Sequence, residues 1–216
     1  MSRPIVPDFD QAPFLVIWET TRACALACLH CRAEAIDCRD PGELSTQEGI
    51  ELLQQVAEMG TPICVLTGGD PLQRTDLEDL IRAGTSFGLR MATIPAATPR
   101  LTPARLRSLK EAGVDQIALS LDAPGAKQHD DFRGVPGSFD RTITAARQVR
   151  ALDIPLQINT VLGPWNEADF EEMAALVEDL GVSFWEVFLL VPVGRGQSAE
   201  QLDGGRVEKL FAKIYE

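Results

Sequence analysis

Three cysteines, Cys24, Cys28 and Cys31, fall in the stretch TTRACALACLHCRAEA (residues 20–35), spaced C-x3-C-x2-C, with His30 just before the last. Thiolates are soft ligands that suit zinc and iron–sulfur centres. The total of five cysteines is odd, and the N-terminus MSRPIVPDFDQAP has prolines and acids where a secretory leader would be apolar. A disulfide framework is therefore not expected, and closely spaced thiols in a reducing compartment hold a metal or do redox chemistry. One reading makes the three thiols small buried hydrophobes, which suits poorly a loop flanked by Arg22 and Arg32. A structural zinc ion needs four ligands. His30 is awkward as the fourth because it adjoins Cys31, and Cys38 is the better candidate. A 4Fe–4S cube usually takes four thiolates. Three from one tight loop leave an iron open, which makes a chemical site rather than a plain electron relay.

Other residues of chemical interest sit at the ends of apolar runs. Gly68-Gly69-Asp70-Pro71 closes the run PICVLTGG. Two glycines let a backbone approach a ligand closely, and backbone carbonyls or the Asp70 carboxylate could accept hydrogen bonds from an ammonium group. The plainer alternative is a Gly-Gly turn with Asp-Pro opening a helix. Ser120 and Asp122 in SLDAP alternate with leucines and share one face, where a hydroxyl and a carboxylate suit a ribose; alternatively Asp122 caps the next turn. Arg133 in DDFRG could clasp a carboxylate or pair with Asp130 or Asp131. Gln157 and Asn159 interrupt the apolar run LQINTVL on one face, which points Asn159 into a polar mouth as a ligand contact. Cys64 lies within an apolar run and reads as core. His129, in KQHDD, reads as exposed.

Six apolar runs are bounded by Gly, Pro or Asp: residues 14–19, 62–69, 90–95, 116–122, 156–162 and 184–190. This is strand grammar, and their nearly continuous apolarity suits a parallel sheet covered by helices. Helices with readable ends lie between them. Ser45 and Glu48 have capping-box spacing before a helix stopping at Gly60; Thr102, Pro103 and Gly113 mark another. Helices are also expected at 76–84, 137–152 and 166–181. Six strands, the first five each followed by a helix, predict an α/β partial (β/α)6 barrel open on one side, with a flat doubly wound sheet as the alternative. Either way, a ligand sits at the carboxyl ends of the strands. The expected organisation is an N-terminal extension over 1–12, the partial barrel over 13–194 and the start of a C-terminal helical segment over 195–216. That segment stops without a cap, so a longer protein is expected to continue beyond it.

The net charge of −12 disfavours nucleic acid as the main ligand. The one basic cluster, at residues 99–110, reads as a solvated helix face. No apolar run reaches the roughly 18 residues needed to cross a bilayer, so a cytoplasmic protein is expected.

The cysteine spacing after the first strand, together with TGGDP after the second, resembles the radical S-adenosylmethionine (SAM) superfamily. That resemblance covers almost the whole chain and implies a 4Fe–4S cluster held by Cys24, Cys28 and Cys31, with the amino and carboxylate groups of SAM on the fourth iron. It implies that an electron from an external donor such as flavodoxin or ferredoxin splits the sulfonium. The products are methionine and a 5′-deoxyadenosyl radical, which takes a hydrogen atom from the substrate. Gly68, Gly69, Asp70 and Pro71 correspond to the motif that grips the methionyl amino group. Ser120, Asp122, Arg133 and Asn159 become further SAM contacts, with His30 and the backbone around Leu189–Val191 against adenine. Bulkier residues at Gly68 and Gly69 should then weaken SAM binding while leaving the cluster. The sequence also looks like the branch with a C-terminal auxiliary-cluster (SPASM-type) domain, which modifies peptides or haem-like tetrapyrroles. An iron–sulfur redox module that never cleaves SAM, or a zinc-stabilised scaffold, are the competing classes.

Overall fold

The computed structural model describes residues 9–215, so most of the expected N-terminal extension and Glu216 lie outside the described residues. Six strands run in chain order across one sheet: β1 (Leu15–Glu19), β2 (Ile63–Thr67), β3 (Arg90–Thr93), β4 (Gln116–Ser120), β5 (Leu156–Leu162) and β6 (Phe184–Leu189). Every neighbouring pair is parallel. β1 and β6 remain as edges, so the sheet curls into an open half-barrel, as the strand pattern predicts. The helices are α1 (Thr46–Glu58), α2 (Leu77–Ser86), α3 (Pro103–Ala112), α4 (Ala126–Arg133), α5 (Ser138–Ala151), α6 (Phe170–Asp179) and α7 (Gly204–Tyr215).

Helix ends follow the local chemistry. Ser45 and Glu48 form the reciprocal capping box of α1. Thr102 caps α3 through the Arg105 N–H, Pro103 occupies its first turn, and Gly113 ends it in the left-handed region at φ 98°. The helix α4 is an element that the sequence pattern does not announce. Its residues AKQHDDFR carry too little apolar periodicity to announce a helix. The usable signal was a glycine at each end, Gly125 as N-cap and Gly134 as a left-handed C-cap.

Side chains alternate across each strand. One face buries Cys64, Leu66, Met91, Ile117, Leu119, Leu156 and Ile158 against the helices, in a continuous cluster with Leu53, Leu80, Leu106, Val149 and Met173. Cys64 is core, as expected. The opposite face lines the half-barrel's lumen. At its two edges Ile17 is 59% exposed and Phe184 is 55% exposed. Toward the middle it is polar: the Gln157 amide donates to Asn159 Oδ1 and to Glu186 Oε2, each at 2.7 Å.

If the helix-facing side is the core, Leu119→Ala should cost about 2–5 kcal/mol in urea unfolding. The lumen-facing Ile17→Ala should cost less than about 0.5 kcal/mol. Similar costs at the two positions would contradict this assignment of faces.

Candidate active site

The cysteine loop leaves β1 and lies directly across the carboxyl end of β2. The Gly69 N–H donates to the Thr21 carbonyl and the Asp70 N–H to the Ala23 carbonyl, both at 2.7 Å. This crossing explains the two glycines. Gly68 has φ +137°, and a Cβ there would lie 2.2 Å from the Thr21 carbonyl oxygen. At Gly69 a Cβ would lie 2.4 Å from the Ala23 oxygen. Both glycines line the cavity, but the backbone they must admit is that of the cysteine loop. This changes the expectation that bulkier residues would spare the cluster.

The loop is held on its other sides as well. It closes on itself through the Cys24 N–H to the Ile36 carbonyl at 2.8 Å. The Ala27 and Leu29 N–H groups donate to the Arg133 and Phe132 carbonyls at the end of α4, and the Arg195 N–H reaches back from beyond β6 to the Cys31 carbonyl. Glu43 accepts from the Thr21 hydroxyl at 2.6 Å, from the Arg22 N–H and from Arg39. Burial pushes the Glu43 carboxyl up, but these hydrogen bonds outweigh it and hold the group below the ordinary carboxylate value. Arg74, fully buried, donates to the Thr20 and Leu44 carbonyls and pairs with Asp76. Sequence reasoning missed Glu43 and Arg74, which carry no motif.

Cys24, Cys28 and Cys31 share one cavity of about 370 Å³ with His30, Gly68, Gly69, Ser120, Arg133 and Asn159. Each sulfur accepts an N–H: Cys24 from Leu26 at 3.4 Å, Cys31 from Ala35 at 3.5 Å, and Cys28 from Arg133 Nη1 at 3.6 Å. Such donors favour thiolates and tune iron–sulfur centres, so the donor set fits a cluster. In the metal-free chain burial pushes the Cys24 thiol up to about 11, and metal loading would have to displace its proton. Cys38 is exposed and lies outside the cavity lining. Among the described residues no three His, Cys, Asp or Glu side chains are arranged for a single metal ion.

Three of the expected contacts are engaged by the protein itself. The Asp70 carboxylate is fully buried, accepting from the Leu72 and Ala96 N–H groups and the Thr98 hydroxyl, and Pro71 opens a buried 3-10 turn. Neither lines the cavity. Asp122 is also fully buried, pairs with Arg133 and accepts from the Val161 N–H at 3.0 Å. It lies outside the cavity lining. Arg133 pairs with Asp122, not with Asp130 or Asp131; Asp130 instead accepts from the Ser138 hydroxyl and the Phe139 N–H. The Arg133 Nε–H is buried without a partner. His30 stacks on Phe132 with centroids 4.5 Å apart, and Phe132 stacks on Trp165 at 4.9 Å. Leu189–Val191 lie outside the cavity lining, to which β6 contributes Phe188, followed by Arg195.

The expectation of an exposed His129 is corrected: the residue is 1% exposed, on the cavity wall, because α4 turns it inward beside Asp122 and Arg133. Burial lowers both His129 and His30 to about 4.

A model of the radical SAM superfamily matches residues 18–177. An AdoMet-dependent heme synthase of Oleidesulfovibrio alaskensis is 45% identical over 188 residues, covering 87% of this chain and 48% of the relative. Another, from Methanosarcina barkeri, is 38% identical, covering 95% of this chain and 59% of the relative. The chain thus spans about half the length of the curated relatives it matches. The Streptococcus suis protein SuiB bound to S-adenosylmethionine superposes with a TM-score of 0.83 at 17% identity, covering 95% of this chain and 47% of SuiB, a likeness of fold.

Substituting Cys24, Cys28 or Cys31 by Ala should abolish iron uptake on anaerobic reconstitution, while Cys38→Ala and Cys64→Ala keep it. Gly69→Ala should lower iron content as well as ligand binding; full iron content would refute the structural reason given for that glycine. The histidines set a pH dependence. Their folded values of about 4 lie below the ordinary 6.5, so the unfolded chain binds more protons between those values and stability falls as pH drops through that window. The urea midpoint of the metal-free protein should be lower at about pH 5 than at about pH 7; equal midpoints would show that the rings are not buried in neutral form.

Proposed function

The chain belongs to the radical SAM superfamily, and from that premise we propose that it is the core of an enzyme that cleaves SAM reductively to take a hydrogen atom from a haem-type tetrapyrrole. The superfamily uses a 4Fe–4S cluster and SAM. The observation that carries the reading is the convergence of three N–H-supported sulfurs, the Gly68–Gly69 backbone and a partly unsatisfied guanidinium on one cavity at the strand ends. The chemistry those cofactors supply when bound is one-electron cleavage of the sulfonium and abstraction of a substrate hydrogen atom, with the electron drawn from an external donor.

The chain's own residues divide that task. Cys24, Cys28 and Cys31 would hold three irons and leave the fourth to SAM. Carbonyls at Gly68–Gly69 would accept from its ammonium group, while Asp70 and Pro71 fix the shape of that turn. Arg133, oriented by Asp122, would meet the carboxylate; Ser120 and Asn159 offer donors and acceptors for the ribose; His30 offers a ring face for adenine. The protein positions the cofactor and excludes competing reactions. The haem synthases among the relatives favour a tetrapyrrole over a peptide. A closed redox relay would call for a fourth thiolate, and the exposed Cys38 lies away from the cavity.

Anaerobically reconstituted protein reduced with dithionite should release 5′-deoxyadenosine from SAM, and the Cys28→Ala variant should release none. With deuterated tetrapyrrole present, the label should appear in 5′-deoxyadenosine. Transfer from a deuterated peptide instead would reverse the substrate assignment, and iron-loaded protein that never splits SAM would leave the redox-module reading.

A further inference from the structure

His129 has no part in the motifs, yet it occupies the wall of the cavity. It sits one helical turn before Arg133 on α4, so both project from the same face. Both are buried and both line the cavity. The ring is fixed from two sides. Its Nδ1 accepts from the Asp122 N–H at 3.2 Å, and Phe139 lies edge-on with centroids 5.9 Å apart. With Nδ1 used as an acceptor, the proton of the neutral ring resides on Nε2. The charged groups around it are Asp122, Arg133 and Asp130. Burial lowers its pKa to about 4, with the cation of Arg133 acting in the same direction, so near neutral pH it remains a neutral donor.

We propose that His129 donates its Nε2–H to the carboxylate of the ligand in the cavity, beside the guanidinium of Arg133. This rests on the reading that the cavity holds SAM. The neighbouring carboxylate, Asp122, is fully buried, pairs with Arg133 and accepts from the Val161 N–H. This wall therefore presents an imidazole N–H and a guanidinium whose Nε–H lacks a partner. A carboxylate can accept both, having two oxygens and about four lone-pair sites. An ammonium group finds carbonyl acceptors at the glycines across the cavity. The two walls thereby sort the two ends of an amino acid.

Two substitutions separate this role from a structural one. His129→Asn keeps an acceptor for the Asp122 N–H but has no donor that reaches the Nε2 position. His129→Gln places a donor near that position but gives up the acceptor. Both are reconstituted anaerobically, checked for wild-type iron content and titrated with SAM by calorimetry. The Asn variant should bind about tenfold or more weakly, as expected for a hydrogen bond to a charged group, while the Gln variant retains most of the affinity. Against decarboxylated SAM, His129→Asn should cost nothing further. Unchanged SAM affinity in the Asn variant, or an equal loss for both ligands, would overturn the proposal. Wild-type protein that carries iron but does not bind SAM would instead overturn the reading of the cavity.

Discussion

The site depends on one close passage of backbone over backbone. The chain at Thr21–Ala23 runs across Gly68–Asp70 closely enough for two 2.7 Å hydrogen bonds, with no room for a Cβ at either glycine. Hydrogen bonds between chain atoms fix position without the rotamer freedom that side-chain contacts must first lose. The passage couples two segments that would otherwise be independent loops, one bearing the thiols and one closing β2. A displacement of either moves the other. The cavity is consequently a single unit, and its thiol wall and glycine wall cannot be treated as separable parts.

The opposite wall is organised by charge. Asp122 and Arg133 are nearly dehydrated, and burying an ion pair costs desolvation that its attraction only partly returns. Asp122 is further engaged by the Val161 N–H, and Asn166 donates to the Asp122 and Val161 carbonyls, tying the ends of β4 and β5 together. Such a network is weak evidence for stability. What it does is hold a guanidinium at a fixed place beside the Cys28 sulfur, where a mobile surface arginine would be screened by water. The carboxylates of Asp70 and Asp122 serve this wall and the glycine turn by supporting groups that face the cavity.

The sheet and most helices were legible because their signals are local: apolar runs of strand length, a Ser45–Glu48 capping box, and Thr102, Pro103 and Gly113 at the ends of α3. The thiol spacing was legible for the same reason. Less legible were the partners of polar residues near the strand ends. Asp70 and Asp122 have the right residue types for ligand contacts, but their partners, Thr98 at 28 residues' separation and Val161 at 39, are set by tertiary packing. Helix α4 is charged along its length, so its apolar periodicity gave no warning that His129 and Arg133 face inward. The reason for Gly68 and Gly69 was equally hidden, since only the folded chain shows what passes over them.

The strand pleat then divides labour between the faces of the sheet. Ile117 and Leu119 point to the helices and are completely buried, whereas Gln116 and Ser120, on the same strand, face the lumen. Free energy of folding is drawn chiefly from the first set, because it scales with apolar area removed from water. The second set can be polar because its surroundings remain open to solvent or ligand, as with Gln157, Asn159 and Glu186. A slip of one residue in the register would exchange the two sets. The same alternation that closes the core therefore aims Ser120 and Asn159 at the cavity, and the chemistry of the lumen face can vary with little cost to the fold beneath it.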